Sequence, residues 1–477
     1  MLVALAAACS DADVRTLSAR AADGSPSSTS VPTEGTTPDA GDLASAGDEL
    51  FPEIGNDDLD VTHYTVRIAY DPADRRIRGT VDVALTALVA FDHIVLDAVG
   101  LDVEEVEVDR ATATFRTTDD ELVIDHPLAA GDAVTATVTY VGQPTRRPGA
   151  FGLDAGWFAT STGSYVLNEP DALRTWMPAD DHPGDKATWR FELIVPEGST
   201  GVANGELVEE STAGGRTTWV WEQREPMSTY LVQLLTGEYA VLDGGRAGAV
   251  PLVNVALTAD VARMQPYFDL TDDQLAFFAR YFGPYPLDRY GLAMTESDGG
   301  LAMETQGRSL FSRADFPGGE PGYVEHLLLS HELAHQWFGD AVSPADWSDL
   351  WLNESFATYA QWMWLDEAGL STIENDASFA LASRNTIGTE PTGSPTVANL
   401  FGFERYDGGA VVLHALRREI GDDRFFPLLA HWVAEHDGTS RTTDDFIALA
   451  EVVAGRSLTT FFDDWLFATD VPDAYPG

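Results

Sequence analysis

Cysteine and lysine are almost absent from this sequence of 477 residues, which contains only Cys9 and Lys186. One cysteine cannot form an intramolecular disulfide, and it excludes a cysteine-based metal cluster or a dithiol redox pair. Basic residues are also scarce: 28 Lys and Arg stand against 77 Asp and Glu, which gives a net charge of −49. Because such a surface repels phosphate groups, the composition argues against nucleic acid as a partner and against a polybasic membrane patch.

Long apolar runs are missing too, and no segment approaches the ~18 residues needed to span a bilayer. A short one, MLVALAAAC, opens the chain and ends at Cys9. It resembles the tail of a bacterial lipoprotein signal, although the usual basic start is absent. We therefore expect residues 1–9 to be a signal remnant of an exported cell-surface lipoprotein, whose membrane contact is a lipid at Cys9. The alternative is a cytoplasmic protein with an apolar N-terminus. Residues 10–50, rich in Ser, Thr, Gly, Pro and Asp, are predicted to be a disordered tether.

The remaining sequence changes its periodicity once, which predicts a multidomain α+β protein. Residues 51–245 alternate apolar and polar positions between Gly, Pro, Asp and Asn turns, as in THYTVRIAY and AVTATVTYVG, and this pattern indicates an N-terminal antiparallel β domain. Residues 246–477 carry apolar residues at helical spacing, with short strand-like pieces at YGLAMTE and RSLFS, and are predicted to form a mainly helical domain. LTDD, DDRF and TTDDF are typical of helix starts.

The stretch HELAHQWFGD contains the strongest chemical signal in the sequence. His331 and His335 are four residues apart, so on a helix their imidazoles lie on one face, where neutral nitrogens suit Zn²⁺. Glu332 follows the first histidine and could reach water at such a metal. The alternative is a pair of exposed histidines on an amphipathic helix.

A catalytic zinc site needs a third protein ligand, and Glu354 in the next helical segment, WLNESFATY, is the candidate. HExxH followed at this distance by the glutamate of such a segment resembles the aminopeptidase N-type zinc metallopeptidases. These are gluzincins that include relatives of the leukotriene hydrolase type. The resemblance implies a short two-domain form, with the β domain followed by a thermolysin-like catalytic domain that binds one zinc ion through His331, His335 and Glu354.

The block GGLAMETQ resembles the exopeptidase motif of the same family, usually Gly-x-Met-Glu-Asn. The resemblance implies that Glu304 binds the free α-amino group of the substrate and that Gly300, Ala302 and Met303 line its backbone. A buried ammonium also needs a carboxylate partner on physical grounds. Thr305 replaces the usual asparagine, so the resemblance does not imply the contacts which that amide makes in the family. The alternative is an edge-strand glutamate in solvent.

Two further segments match the family. NEPDALRTWMPADDHPGDKATW resembles the segment by which the β domain reaches the site, and it implies that Glu169 also holds the substrate amine; the alternative is a turn carboxylate. RYDGGAVVLHALRREI resembles the block beginning Tyr-Glu-Lys-Gly, with Gly408 in place of the lysine. Tyr406 would stabilise the oxyanion as a phenol donor, and the alternative is a tyrosine packed on the surface.

The resemblance predicts a zinc-dependent aminopeptidase that acts on peptides with a free N-terminus, with Glu332 as general base. Three alternatives stay open. The enzyme could be a zinc endopeptidase with an open cleft, or an epoxide hydrolase with a long apolar pocket. A non-catalytic scaffold that retains the fold is the third.

Overall fold

The computed structural model of the protein describes most of the chain after the predicted tether. The described residues are 45–144, 146–148, 154–297, 299–387 and 390–477. Cys9, the predicted signal remnant and the predicted tether up to residue 44 lie outside them. The described residues contain 23 strands and eight α-helices, with the strands concentrated in the first half, which confirms the α+β organisation.

The N-terminal domain is built from strands that alternate buried and exposed side chains, as in β2, where Ile77, Val81, Val83 and Leu85 face the core. Its strands are β1 Leu59–Asp71, β2 Arg76–Ala87, β3 Phe91–Asp97, β4 Asp102–Val108, β5 Ala111–Thr112, β6 Phe115–Thr117, β7 Glu121–Leu128, β8 Ala133–Gly142, β9 Arg146–Pro148, β10 Asp154–Ala159, β11 Ser164–Leu167, β12 Lys186–Pro196, β13 Thr200–Ala203, β14 Glu206–Ala213, β15 Arg216–Ser228 and β16 Leu234–Gly237.

Three sheets make up this domain. The largest has eight strands in the order β14-β15-β12-β1-β2-β8-β4-β5, and the others are β13-β16-β11-β10-β9 and β3-β7-β6. All the strand pairs of these sheets are antiparallel except β1 with β12, which run parallel with His63 opposite Thr188. The prediction of a mainly antiparallel β domain is therefore confirmed.

The second domain combines a five-stranded sheet with helices. Its strands are β17 Tyr239–Ala247, β18 Val250–Leu257, β19 Leu292–Thr295, β20 Ala302–Met303, β21 Ser309–Ser312, β22 Val342–Pro344 and β23 Thr439–Arg441. Its helices are α1 Val261–Phe282, α2 Tyr323–Ala334, α3 Trp351–Glu367, α4 Ile373–Ile387, α5 Asp407–Ile420, α6 Asp422–His436, α7 Thr443–Ala454 and α8 Thr459–Trp465. Among the described helices, none is both long and apolar enough to span a bilayer.

Both predicted boundaries of the β domain need correction. The boundary between 245 and 246 falls inside β17, which pairs with β18 in the catalytic sheet β17-β18-β19-β21-β20, so the domain change precedes Tyr239. The predicted tether is also too long, since Asp48 is buried. The carboxylate of Asp48 accepts hydrogen bonds from the backbone N–H groups of Phe51, at 2.9 Å, and Trp347, at 3.0 Å, which fixes this segment against the catalytic domain.

The predicted helix starts are right at two of three sites. Asp422 begins α6, and Thr442 caps α7 by accepting a hydrogen bond from the backbone N–H of Asp445 at 3.2 Å. LTDD is wrong as a start, because α1 begins at Val261 and runs through it. The first turns of α1 bury Met264, Tyr267 and Phe268 in the core, and this tertiary packing outweighs the local capping pattern.

The two domains meet behind the helix that carries the HExxH pattern. Lys186, at the start of β12, donates a hydrogen bond of 2.7 Å to the backbone carbonyl of Asp340. The hydroxyl of Tyr230 donates to the carbonyl of Gly339 at 3.1 Å. The β domain thus holds the chain just after His335 and forms one wall of the site.

Candidate active site

Helix α2 presents the two histidines from its last turn. It begins at Tyr323, where the side chain of Glu325 accepts a hydrogen bond from the N–H of Gly322, and it ends at Ala334. His335 is the C-cap residue and keeps helical angles, so it still lies one turn beyond His331. Gly339, with φ of 131°, turns the chain away from the helix axis toward the β domain.

The three predicted metal ligands converge at one point. Nε2 of His331 lies 3.1 Å from Oε2 of Glu354, and Nε2 of His335 lies 3.4 Å from the same oxygen. All three side chains are buried, so the alternative of exposed histidines is excluded. Glu354 lies in the first turn of α3, which packs along α2 and so brings the carboxylate to the histidines.

The hydrogen bonds behind the imidazoles prepare them as metal ligands. Nδ1 of His331 is 2.9 Å from the amide oxygen of Gln361, and Nδ1 of His335 is 3.1 Å from the carbonyl oxygen of Phe338. Since both oxygens can only accept, each Nδ1 carries a proton, and each Nε2 is the nitrogen that faces the site and is left for a metal. Two imidazole nitrogens and one carboxylate form the donor set of a catalytic zinc centre, and the residues fit that ion.

The site carries a large excess of buried negative charge. Neither carboxylate oxygen of Glu332 has a hydrogen-bond partner among the described residues, and burial raises the pKa of Glu332 to about 7. Burial alone would lower the pKa of His335, but the carboxylates of Glu304 and Glu354 hold it at about 10. The same field that keeps a proton on His335 favours a divalent cation, which would displace that proton.

Glu304 lies beside this centre, at the end of the edge strand β20. Its carboxylate, that of Glu332 and a ring nitrogen of His335 lie within 4.8 Å of one another. Ala302 and Met303, which form β20, are buried and pair with β21 on one side of the strand. Gly300 precedes the strand with φ of 69° and donates its N–H to Asp315 at 2.6 Å. Since Glu304 is 2% exposed, it is not a solvent-facing glutamate.

Glu169 and Tyr406 complete the group of residues that the sequence predicts. Oε1 of Glu169 is buried without a hydrogen-bond partner among the described residues, and burial together with the charge of Glu304 raises the pKa of Glu169 well above its usual range. The hydroxyl of Tyr406 donates to Oε1 of Glu354 at 2.8 Å, so this tyrosine faces the site rather than the surface. Thr305 turns away and accepts a hydrogen bond from Gln233 at 2.8 Å.

Three residues that the sequence analysis did not select hold the site together. Gln361 orients His331, and its position seven residues after Glu354 puts it on the same face of α3, a spacing that could have revealed it. Gln336, next to His335 in sequence, donates to the carbonyl of Glu304 at 2.9 Å. Tyr230 accepts a hydrogen bond from Asn353 at 3.0 Å, and nothing in its sequence surroundings indicates this contact.

In the helical domain, two buried histidines lie on one helix, with a glutamate directly after the first of them, and a second glutamate lies on the next helix. This arrangement defines the class of zinc metallopeptidases. The chain belongs to peptidase family M1. Residues 267–465 match the Peptidase family M1 domain, and residues 61–231 match the Peptidase M1 N-terminal domain. The predicted family and its two-domain form are therefore confirmed.

Solved structures of similar proteins agree with this assignment. The M1 zinc metallopeptidase from Deinococcus radiodurans is 29% identical, with a TM-score of 0.82 over 91% of this chain and 99% of its own. A mutant of the Deinococcus enzyme bound to a Tyr-Ser-Ala substrate is 28% identical with a TM-score of 0.81, over 91% of this chain and 99% of its own.

Curated relatives are longer. The leucyl aminopeptidase of Saccharolobus solfataricus is 25% identical over 402 residues, which are 80% of this chain and 50% of that protein. Aminopeptidase M1-D of Oryza sativa subsp. japonica is 25% identical over 436 residues, which are 84% of this chain and 49% of that protein. The chain thus spans about half the length of the curated relatives that it matches.

Proposed function

We propose that the protein is a zinc-dependent aminopeptidase that hydrolyses the N-terminal peptide bond of peptides with a free α-amino group. The observation that supports this proposal most directly concerns two buried glutamates, Glu304 and Glu169. Each keeps a buried carboxylate oxygen without a hydrogen-bond partner among the described residues, next to the HExxH helix. An unpaired buried carboxylate is costly, and the ammonium group of a peptide is the partner that would offset this cost.

The chain's own residues divide the chemistry among them. Zinc, when bound by His331, His335 and Glu354, supplies a Lewis acid and lowers the pKa of water. Glu332, which has two free carboxylate oxygens in the site, removes a proton from the attacking water and returns it to the leaving amine. The phenol of Tyr406 donates to the oxygen that becomes negatively charged.

The two anchoring carboxylates determine which bond is cut. With the α-amino group held at Glu304 and Glu169, only the first peptide bond reaches Glu332, because the carboxylates of Glu304 and Glu332 lie within 4.8 Å of each other. Support also comes from the Deinococcus enzyme, whose structure was solved with a bound tripeptide. An acetyl group on the substrate amine would remove its charge and its fit to this pair.

A panel of aminoacyl arylamides, free and N-acetylated, with and without a chelator, tests the proposal. We expect hydrolysis of the free forms only, its loss with chelator and its recovery with added Zn²⁺. Equal turnover of free and acetylated forms would refute the anchoring role, and internal cuts in an unblocked peptide, read by mass spectrometry, would establish an endopeptidase instead. A protein that binds no zinc and cleaves none of these substrates would be a scaffold.

The assignment of the base has a separate test. Glu332→Ala should keep about one zinc ion per chain by metal analysis while losing nearly all activity, since Glu332 contributes no ligand to the proposed zinc set. An active Glu332→Ala enzyme would remove Glu332 from the role of general base.

We also propose that the enzyme is exported and anchored by a lipid at Cys9, with residues 10–44 as its tether. The support is the sequence MLVALAAACS and the composition that follows it. Expression of the full chain and of Cys9→Ala in a bacterial host tests this. Release of the variant from the membrane fraction is expected, and equal distribution of both would contradict it.

A further inference from the structure

Helices α3 and α5 approach each other unusually closely at one pair of residues beside the site. A Cβ atom added to Gly409, in the first turn of α5, would lie 1.7 Å from Oγ of Ser355 on α3. Only glycine fits at this distance, so the backbone of α5 rests on the Ser355 side chain. Ser355 is fully buried and directly follows the metal ligand Glu354.

The hydroxyl of Ser355 has a specific partner across this contact. It donates a hydrogen bond of 2.6 Å to the backbone carbonyl of Arg405, which is 50 residues away in sequence. Arg405 immediately precedes Tyr406, whose hydroxyl returns to Oε1 of Glu354 at 2.8 Å. Two hydrogen bonds thus join two pairs of sequence neighbours into a closed ring: Glu354 with Ser355, and Arg405 with Tyr406.

The side chain of Arg405 connects this ring to the segment before α5. The guanidinium of Arg405 donates to the carbonyls of Pro391, Thr392 and Asn399 at 2.9, 3.0 and 3.3 Å. These bonds fix Arg405 to its own loop, whereas the Ser355 bond joins that loop to the helix that carries the metal ligand. The ring of Tyr406 is also stacked over that of His331, with centroids 6.1 Å apart.

We propose that Ser355 is a positioning residue for Tyr406: its hydroxyl holds the backbone of Arg405 so that the phenol faces the Glu354 carboxylate and the substrate oxygen. This inference rests on the proposed function, in which Tyr406 is the oxyanion donor. Without the hydroxyl, the buried Arg405 carbonyl loses its donor and the backbone next to Tyr406 is free to shift. A small displacement of a donor matters, because oxyanion stabilisation depends on donors placed at hydrogen-bond distance from the developing charge.

Ser355→Ala removes the hydroxyl and keeps the Cβ atom that contacts α5. We expect kcat on an aminoacyl arylamide to fall by about tenfold, because misplacement by about 1 Å can cost about 10²-fold, while KM and zinc content stay as in the wild type. Ser330→Ala is the matched control. Ser330 is also buried and adjacent to a metal ligand, but its hydroxyl donates at 3.1 Å to Leu327 within its own helix. The control should keep wild-type kcat.

A double-mutant cycle separates positioning from general stability. In a Tyr406→Phe background, which has no phenol to position, Ser355→Ala should change kcat by less than about twofold, since the two residues act as one unit. Equal and additive losses in both backgrounds would overturn the proposal, and so would a wild-type kcat for Ser355→Ala alone.

A readout without turnover keeps this inference separable from the proposed function. In a crystal structure of Ser355→Ala, the Tyr406 hydroxyl should lie beyond about 3.5 Å from the Glu354 carboxylate, outside hydrogen-bond distance. A hydroxyl still bonded to Glu354 would overturn the positioning role whether or not the enzyme cleaves arylamides. Conversely, a wild-type protein without aminopeptidase activity but with a displaced tyrosine in the variant would refute only the proposed function.

Discussion

The side-chain amide of Gln336 donates a hydrogen bond of 2.9 Å to the backbone carbonyl of Glu304. Its oxygen accepts the N–H of Gly307 at 2.8 Å, so one side chain holds both ends of the turn that follows β20. Gln336 directly follows the metal ligand His335. Gln336, which belongs to neither, therefore links the candidate metal centre to the candidate amine anchor.

Replacing Gln336 should weaken substrate binding more than it changes the metal site. Gln336→Leu leaves the Glu304 carbonyl and the Gly307 N–H without their partners, so the carboxylate of Glu304 is no longer held at a fixed distance from Glu332. We expect KM for aminoacyl arylamides to rise by about tenfold, which corresponds to about 1.4 kcal/mol, with zinc content unchanged. Steady-state kinetics with metal analysis measure this.

Gln265→Leu is the control for this substitution, because Gln265 is exposed on α1 and bonds only Asp269 in its own helix among the described residues. It should leave both KM and kcat at wild-type values. An unchanged KM in Gln336→Leu would show that the turn after β20 holds its shape without this bond.

The two anchoring carboxylates should act on the same charge. Glu304→Gln and Glu169→Gln each keep the shape of the side chain and remove a carboxyl group that could form a charge pair with the substrate amine. We expect each to raise KM for free aminoacyl arylamides by about 10- to 100-fold, because a hydrogen-bonded buried charge pair contributes about 1.5–3 kcal/mol. The ratio of activity on free and acetylated substrates should fall in parallel.

A control for general charge effects is Glu367→Gln, at the exposed end of α3, where Glu367 pairs with Arg280 at 2.8 Å. It should not alter KM. If Glu169→Gln alone leaves KM unchanged, the amine is held by Glu304, and Glu169 belongs to the wall of the site.

The chemical centre was predictable because its residues follow the periodicity of helices. His331, His335 and Glu354 are all brought together by two neighbouring helices, and short-range spacing determines which side chains share a face. The family resemblance supplied Glu304, Glu169 and Tyr406. In the structure, one buried carboxylate oxygen of each glutamate has no hydrogen-bond partner among the described residues. Their roles in catalysis stay predictions.

The supporting contacts were not predictable because they join residues distant in sequence through backbone atoms. Ser355 to Arg405 and Tyr230 to Gly339 are examples, since any residue provides a backbone carbonyl. No sequence signal given above marks helix α4. Its sequence, IENDASFALASRNTI, places Asn, Asp, Ser and Thr among its apolar residues, and these polar residues lower the intrinsic helix propensity. The strands β22 and β23 are only three residues each and depend on mutual pairing.

The buried aspartates of the β domain should make the free energy of unfolding depend on pH. Asp181 accepts the N–H of Arg174 at 2.9 Å and donates its own N–H to the carboxylate of Asp97 at 2.7 Å. Burial and the charge of Asp97 raise the pKa of Asp181 to about 7 from a usual value of 3.8. Since the folded state binds this proton more tightly, its contribution to stability is complete below pH 3.8 and is lost as the pH rises through 7.

Asp181→Asn should remove that contribution, because the amide oxygen can still accept the Arg174 N–H but carries no charge. Between the two pKa values, one proton changes the free energy of unfolding by about 1.4 kcal/mol per pH unit. We expect the melting temperature of the variant relative to the wild type to increase from pH 5 to about pH 7 and to level off above it. Asp269→Asn, at an exposed position of α1, is the control and should show a constant difference. A constant difference for Asp181→Asn as well would contradict the prediction.

Helices α3 and α5 should pack this closely only while the side chains at positions 409 and 355 are both small. Gly409→Ala replaces a poor helix former by a good one, which at an exposed site would stabilise a helix by about 1 kcal/mol. Here the new methyl group would meet Oγ of Ser355 at 1.7 Å and its Cβ at 2.5 Å, so the helices must separate. We expect a net loss of about 1–3 kcal/mol in the free energy of unfolding, as for other overpacked cores.

Ser355→Gly in the same chain should restore part of this loss, because it removes both atoms that the new methyl group meets. Gly408→Ala is the comparison on the same helix: its added Cβ would meet Oε2 of Glu404 at 2.5 Å, the end of a flexible side chain, so a smaller loss is expected. Denaturant unfolding of the zinc-loaded proteins measures all three. A Gly409→Ala protein as stable as the wild type, or a double variant less stable than Gly409→Ala, would show that the two helices are not in the close contact described.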